Sequence, residues 1–274
     1  MRLRAIPSTG ERIPVMGLGT SDAFETSAGA ALAPQREVLE RFYALGGRLV
    51  DTSPTYGNAE AVVGRLAAEL DLTDRLFLAT KVHEVGRQAG IAQMEASRRH
   101  LGRRRLDLLQ VHNLIDVDTQ LATLRRWKEQ GLVRYIGITH YRVEAFDDLE
   151  RWMRAVSLDF VQFNYSVATP DAERRLLPLA RERGIAVLVN RAFEDGYLFR
   201  ATRGRALPPW AAEFDCTSWA QFFLKYVLSD EAVTCVIPAT SKPRHLVDNM
   251  AAGVGRLPDA ATRARMRALI RDSV

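Results

Sequence analysis

Sulfur is scarce in this chain, whose 274 residues include two cysteines, Cys216 and Cys235. They lie far apart among apolar neighbours and match no CxxC or zinc-ligand spacing. That excludes a disulfide framework and predicts two buried thiols in a reducing compartment. The histidines His83, His100, His112, His140 and His245 form no HxH or HExxH set, so no metal site is expected. No apolar run has the length of a membrane helix. The opening Met1-Arg2-Leu3-Arg4-Ala5-Ile6-Pro7 lacks the apolar core of a secretion signal, and a cytoplasmic protein without membrane association is expected. A large surplus of one charge sign is missing too: the net charge is +5 with 26% charged residues, which excludes a disordered polyelectrolyte. The densest basic stretch, Arg98-Arg99-His100 to Arg103-Arg104-Arg105, has no interleaved aromatics. It reads as a solvated helix end, not a nucleic-acid surface.

What the chain does have is 47% hydrophobic residues, enough for one sizeable core over residues 1–274 as a single domain. Short runs rich in Leu, Val, Ile and Phe recur at 15–19, 48–51, 76–81, 106–112, 135–139, 160–164, 186–190 and 234–238. Most are apolar on both alternations, as parallel strands covered on both faces must be. Between and after them, helical spacing predicts helices at 35–45, 59–70, 91–101, 118–130, 143–156, 172–183, 217–228 and 244–252. Gly46, Gly131 and Gly184 follow three of these helices, where a left-handed cap is wanted. Eight strands alternating with eight helices is the pattern of an α/β fold closed as a (β/α)8 TIM barrel. The rival, an open doubly wound sheet, normally carries a GxGxxG phosphate turn that is absent here.

Two segments break the rhythm. Runs at 3–6 and 12–14 flank Ser8-Thr9-Gly10-Glu11 and predict an N-terminal β-hairpin that plugs the bottom of the barrel. Residues 193–215, containing Pro208-Pro209-Trp210, form an insertion over the active face. A further C-terminal helix is predicted at 259–272.

In such barrels chemistry sits at the carboxyl ends of the strands. Those ends supply Asp51, Lys81 and His112 from three consecutive strands, with Tyr56 in the loop Thr52-Ser53-Pro54-Thr55-Tyr56-Gly57-Asn58. An ammonium and a carboxylate inside an apolar ring are costly unless paired. A Lys81–Asp51 pair offsets that cost and sets a cation beside the phenol. The cation is expected to lower the pKa of Tyr56 and make it a better proton donor.

Over essentially its whole length the chain resembles the aldo-keto reductase superfamily. The motifs that carry the likeness are Met16-Gly17-Leu18-Gly19-Thr20, Leu49-Val50-Asp51-Thr52-Ser53 with Tyr56-Gly57-Asn58, Ala79-Thr80-Lys81, and Leu106-Asp107-Leu108-Leu109-Gln110-Val111-His112. They continue in Gly131-Leu132-Val133-Arg134-Tyr135-Ile136-Gly137-Ile138, Gln162-Phe163-Asn164-Tyr165-Ser166, and Ile237-Pro238-Ala239-Thr240-Ser241-Lys242 followed by Asn249. The resemblance implies an NAD(P)H-dependent oxidoreductase that reduces aldehyde or ketone carbonyls by direct hydride transfer. In that mechanism Tyr56 is the general acid, Asp51 and Lys81 tune it, and His112 orients the carbonyl oxygen.

For the cofactor, the resemblance implies Gly19 and Thr20 beside the site, and Thr139, His140 and Gln162, with Asn164 adjacent, against the nicotinamide amide. Thr139-His140 departs from the family's usual Ser-Asn pair. Arg191 is read as standing where the family stacks an aromatic ring. Ser241, Lys242 and His245, beside Arg244, would hold the 2′-phosphate of NADPH, with NADH the lesser alternative; Asp248 and Asn249 would meet the adenine. Phe24, Trp210 and Trp219 are expected as apolar substrate walls, and Asn113 as a polar neighbour of His112. The chain ends soon after the extra helix, which implies an open pocket for a small-molecule carbonyl substrate, and a monomer is the default. Two further readings stand beside this one: a Schiff-base lyase with Lys81 as nucleophile, and a non-catalytic nicotinamide-binding regulatory module.

Overall fold

The computed structural model describes residues 1–27 and 29–271. The N-terminal strands β1 (Leu3–Ala5) and β2 (Arg12–Pro14) pair antiparallel as a hairpin. The barrel then runs β3 (Leu18–Gly19), α1 (Ala33–Ala44), β4 (Leu49–Asp51), α2 (Ala59–Glu69), β5 (Phe77–Val82), α3 (Arg87–His100), β6 (Leu106–His112) and α4 (Val117–Glu129). It continues through β7 (Val133–His140), α5 (Phe146–Ala155), β8 (Phe160–Asn164), α6 (Leu176–Arg183), β9 (Ala186–Asn190), α7 (Tyr197–Ala201), α8 (Trp219–Leu228), β10 (Val233–Val236), α9 (Pro243–Ala251) and α10 (Ala260–Arg271).

Eight strands, β3 to β10, form one sheet in sequence order, and every adjacent pair is parallel. Parallel bridges Met16↔Val236 and Gly19↔Ala239 bring β3 back against β10 and close the barrel. At this seam the regular strands are shorter than the apolar runs suggest. Gly19 sits so tightly there that an added Cβ would lie 2.7 Å from the Ile237 carbonyl.

Strand alternation sends one residue set inward and the other against the helices. Leu49, Phe77, Ala79, Leu108, Tyr135, Phe160, Ala186, Leu188, Cys235 and Ile237 pack together as the barrel interior, with Ile6 and Ile13 of the hairpin closing its base. The larger cluster fills the layer between sheet and helices. Both cysteines are buried and unpaired.

Local chemistry explains the helix boundaries. The predicted 172–183 helix starts later, at Leu176, because Pro178 is tolerated in a first turn and not in an interior one. Gly184 ends it with φ 64°, and Gly131 follows α4 with φ 72°, both conformations that favour glycine. Ser218 caps α8 by accepting from the Gln221 amide at 3.1 Å. The insertion at 193–215 holds a short helix, α7, that the sequence pattern did not announce. The final helix is described as far as Arg271, and Asp272, the last position of the predicted span, lies outside the described residues.

The basic stretch is partly consumed within the fold. Arg103 donates to the Leu76 carbonyl and to Asp107 at 3.3 Å, and Arg98 to Glu95 at 2.9 Å. No helix among the described residues is long and apolar enough to cross a membrane.

Candidate active site

At the carboxyl end of the barrel a cavity of about 830 Å³ opens above the strands. Asp51, Tyr56 and His112 line it, together with Asn113. Lys81, fully buried, lies beneath, where its Nζ donates to Asp51 Oδ2 and to the Thr52 carbonyl, each at 2.7 Å. The ammonium stands 4.9 Å from the centre of the Tyr56 ring. His112 meets Tyr56 edge-on at 5.9 Å between ring centres. The four residues expected from the sequence are thus brought together. The turn 52–58 does this for Tyr56: Ser53 and Pro54 bend the chain, and the Tyr56 amide bonds back to the Ser53 carbonyl at 3.1 Å.

The electrostatics correct one expectation. The pKa of Tyr56 is raised, not lowered. Burial is the largest influence, and it outweighs the opposing pull of Lys81, which Asp51 also counters. Burial also acts to lower Lys81, yet Asp51 and Tyr56 together hold it above its ordinary value. That weighs against the Schiff-base reading, since a nucleophilic lysine must shed its proton. The Lys81 Nζ is fully buried and donates to Asp51 and to the Thr52 carbonyl. His112 is pushed down to about 2, first by burial and then by Lys81, His83 and His140, so its imidazole is neutral at ordinary pH.

A second network surrounds the first. Gln162 donates to Asp51 Oδ1 at 2.9 Å and accepts from Thr139 Oγ1 at 3.0 Å. Asn190 Nδ2 reaches the same Gln162 oxygen at 3.4 Å. Thr139 and Gln162 line the cavity, as do Gly19, Thr20, Arg191, Ser241, Lys242 and His245.

Several expected residues fall elsewhere. His140 follows Thr139 and points to the opposite strand face, where it stacks on Tyr141 at 5.5 Å and accepts from the Arg142 amide; Tyr141 lines the cavity instead. At β9, Asn190 shares the inward register of Ala186 and Leu188, so the axis-facing residue is Asn190. Arg191, in a left-handed conformation with φ 53°, lies at the rim, paired with Asp195 at 2.7 Å. Asp248 accepts from Gln221 at 2.6 Å, and Asn249 is buried in α9; neither lines the cavity.

Phe24 is fully buried in the core between sheet and helices. Trp210 and Trp219 pack in an aromatic cluster with Phe214, Phe222 and Phe223. None of these three lines the cavity: Phe24 lies wholly inside the core, and the two half-buried tryptophans pack within the aromatic cluster. Phe193 and Phe199, 4.9 Å apart between centres, line the cavity instead. Period-two alternation along β9 points to Asn190, and Phe193 and Phe199 lie in the 193–215 insertion expected over the active face, though no signal within it marks those two rings.

The model of the aldo/keto reductase family matches residues 15–269, and the chain belongs to that family. Among its relatives, methylglyoxal reductase DkgB of Salmonella typhimurium is 26% identical over 249 residues, covering 88% of this chain and 87% of that one. An NADH-specific methylglyoxal reductase of Escherichia coli is 24% identical over 269 residues, covering 78% of this chain and 81% of that one. The solved aldo-keto reductase of Klebsiella pneumoniae in complex with NADPH superimposes with a TM-score of 0.81 at 23% identity, covering 98% of this chain and 96% of that one.

Proposed function

We propose that this protein is a nicotinamide-dependent reductase of small carbonyl compounds, with Tyr56 as its general acid. The observation that carries the reading is the buried Lys81–Asp51 pair set beneath a half-buried phenol, beside a neutral imidazole, at the floor of an open cavity.

The residues present fit a nicotinamide cofactor. Gln162, Thr139 and Asn190 offer both donors and acceptors for a carboxamide, and the Oδ1 atoms of Asn164 and Asn190 are buried without a partner. Ser241, Lys242 and His245 gather at the start of α9, where helix amides and a cation suit a phosphate. Burial first, then Arg244 and Lys242, lower the pKa of His245, so Lys242 supplies the charge. This favours NADPH over NADH. When bound, the cofactor supplies a hydride to the carbonyl carbon. Tyr56 delivers its proton to the developing alkoxide, Lys81 stabilises the phenolate left behind, and Asp51 fixes the ammonium through the 2.7 Å contact. His112 donates to the carbonyl oxygen and orients it.

The cavity rim formed by the loops after β3, β4 and β6 carries Ser21, Asp22, Glu25, Thr55 and Asn113. Such a lining favours small polar, uncharged or cationic aldehydes over anionic ones. All the groups invoked come from one chain, so a monomer suffices, and two buried thiols suit a cytoplasmic setting. The test is NADPH consumption with a panel of small aldehydes, beside NADPH and NADH titrations by intrinsic fluorescence. Wild type turns over and binds NADPH more tightly than NADH. Tyr56→Phe binds NADPH alike and loses turnover by a factor on the order of 10² to 10⁴. Undiminished turnover in that variant overturns the mechanism.

A further inference from the structure

We propose that the Ser53 hydroxyl, supported by Thr55, fixes His112 in the tautomer that carries its proton on Nε2, and thereby makes it a donor to the substrate oxygen. The inference rests on the reductase reading above, which gives that donor its use.

Ser53 is fully buried two residues past the end of β4. Its Oγ lies 3.2 Å from His112 Nδ1, and Thr55 Oγ1 lies 3.4 Å from the same nitrogen. The two hydroxyl oxygens are 2.9 Å apart, and the Thr55 amide donates to Ser53 Oγ at 3.2 Å. A serine hydroxyl has one proton and two lone pairs. The Thr55 amide fills one lone pair. In the proposed arrangement the Thr55 hydroxyl donates to the other, which sends the Ser53 proton to Nδ1, whereas the reverse hydroxyl direction would let an Nδ1–H donate to Ser53. Thr55 is exposed, and water can satisfy the rest of its hydroxyl.

A neutral imidazole has one N–H, and an Nδ1 that accepts leaves that proton on Nε2. Among the described residues the ring meets no carboxylate at Nδ1, only these two hydroxyls. This distinguishes it from a histidine held by an acidic partner, which is stabilised as imidazolium and works as a base. Here the surroundings favour neutrality: Lys81 and burial both oppose a second proton. His112 is therefore a neutral donor, Tyr56 remains the acid, and Ser53 is a positioning residue that never touches the substrate.

The first measurement needs neither a variant nor turnover. In the full chain labelled with ¹⁵N-histidine, ring ¹⁵N–¹H correlation spectra at neutral pH, assigned with His112→Asn, report which His112 nitrogen is protonated. The expected pattern is a protonated Nε2 and an unprotonated Nδ1. A protonated Nδ1 overturns the proposal even if the protein reduces aldehydes, so its failure is distinct from failure of the reductase reading. The second measurement uses Ser53→Ala/Thr55→Val. The expected result is a mixture of tautomers and a fall in kcat on the order of tenfold, with NADPH affinity unchanged and Ser53→Ala alone intermediate. A single Nε2–H tautomer with undiminished kcat in the double variant also overturns it.

Discussion

The base of the barrel and its mouth both bury charge, and they satisfy it differently. At the base, Asp107 accepts from the Leu78 amide at 2.8 Å, from Arg134 at 2.9 Å and from Arg103 at 3.3 Å. Arg134 also reaches Glu11 of the hairpin, which accepts from Tyr135 at 2.5 Å. Arg4 donates to the carbonyls of Leu228, Asp230 and Val233. At the mouth the Asp51–Lys81 pair is saturated, but polar atoms around it are buried without partners: Thr52 Oγ1, both amide atoms of Gln110, Oδ1 of Asn164 and of Asn190, and Arg191 Nε. Orphaned polar groups cost stability. Ser97 Oγ and Arg98 Nε near the end of α3, and Arg263 Nε, are buried without partners too. What sets the mouth apart is that unpaired atoms such as Asn190 Oδ1 and Arg191 Nε belong to residues lining an open cavity, where a ligand can meet them.

The sharpest way to break this contrast is to empty the mouth of its ion pair. Asp51→Leu/Lys81→Met should lose turnover by on the order of 10³-fold, because the acid loses its tuning. Its melting temperature should stay within a few degrees of wild type, since a well-packed apolar pair can replace a buried ionic one at little cost. Calorimetry beside the reductase assay checks both halves, and collapse of the fold in this variant would remove the distinction. At the base, Asp107→Ala should cost about 3 kcal/mol by urea unfolding, because it leaves the buried Leu78 amide unpaired and takes one carboxylate partner from Arg134 and Arg103. Turnover should persist in whatever protein remains folded.

A pH experiment sharpens the same comparison. His112 is held near 2 when folded against about 6.5 unfolded. Below about pH 6.5 the unfolded chain therefore binds the proton that the folded one excludes. Stability linked to His112 is fully present above that pH and falls with acidification down to about pH 2, by up to about 1.4 kcal/mol per unit. His112→Asn should show a shallower loss over that window in denaturant titrations; an identical slope would mean the ring is not held neutral. The smallest effect concerns the rim. Asp22→Asn/Glu25→Gln should raise kcat/KM for a carboxylate-bearing aldehyde roughly threefold relative to a neutral one of equal length, an effect that weakens with salt because both groups are exposed.

The order of elements, the parallel barrel, its hairpin plug and the convergence of Asp51, Tyr56, Lys81 and His112 were all legible in the sequence. These depend on local patterns: alternation, helical spacing, and the rule that strand ends face the mouth. The direction of the Tyr56 shift was not legible, because it is the balance of desolvation against a cation, and burial is set by residues remote in sequence. The facing of His140 required the strand register, where a single step sends a side chain to the opposite face, while Arg191, just past β9 with φ 53°, keeps to the cavity rim because of a local backbone turn. Phe24, Trp210 and Trp219 needed still more. Their fate was decided by competition between cavity and core, which follows from packing, and the chain order records nothing of that.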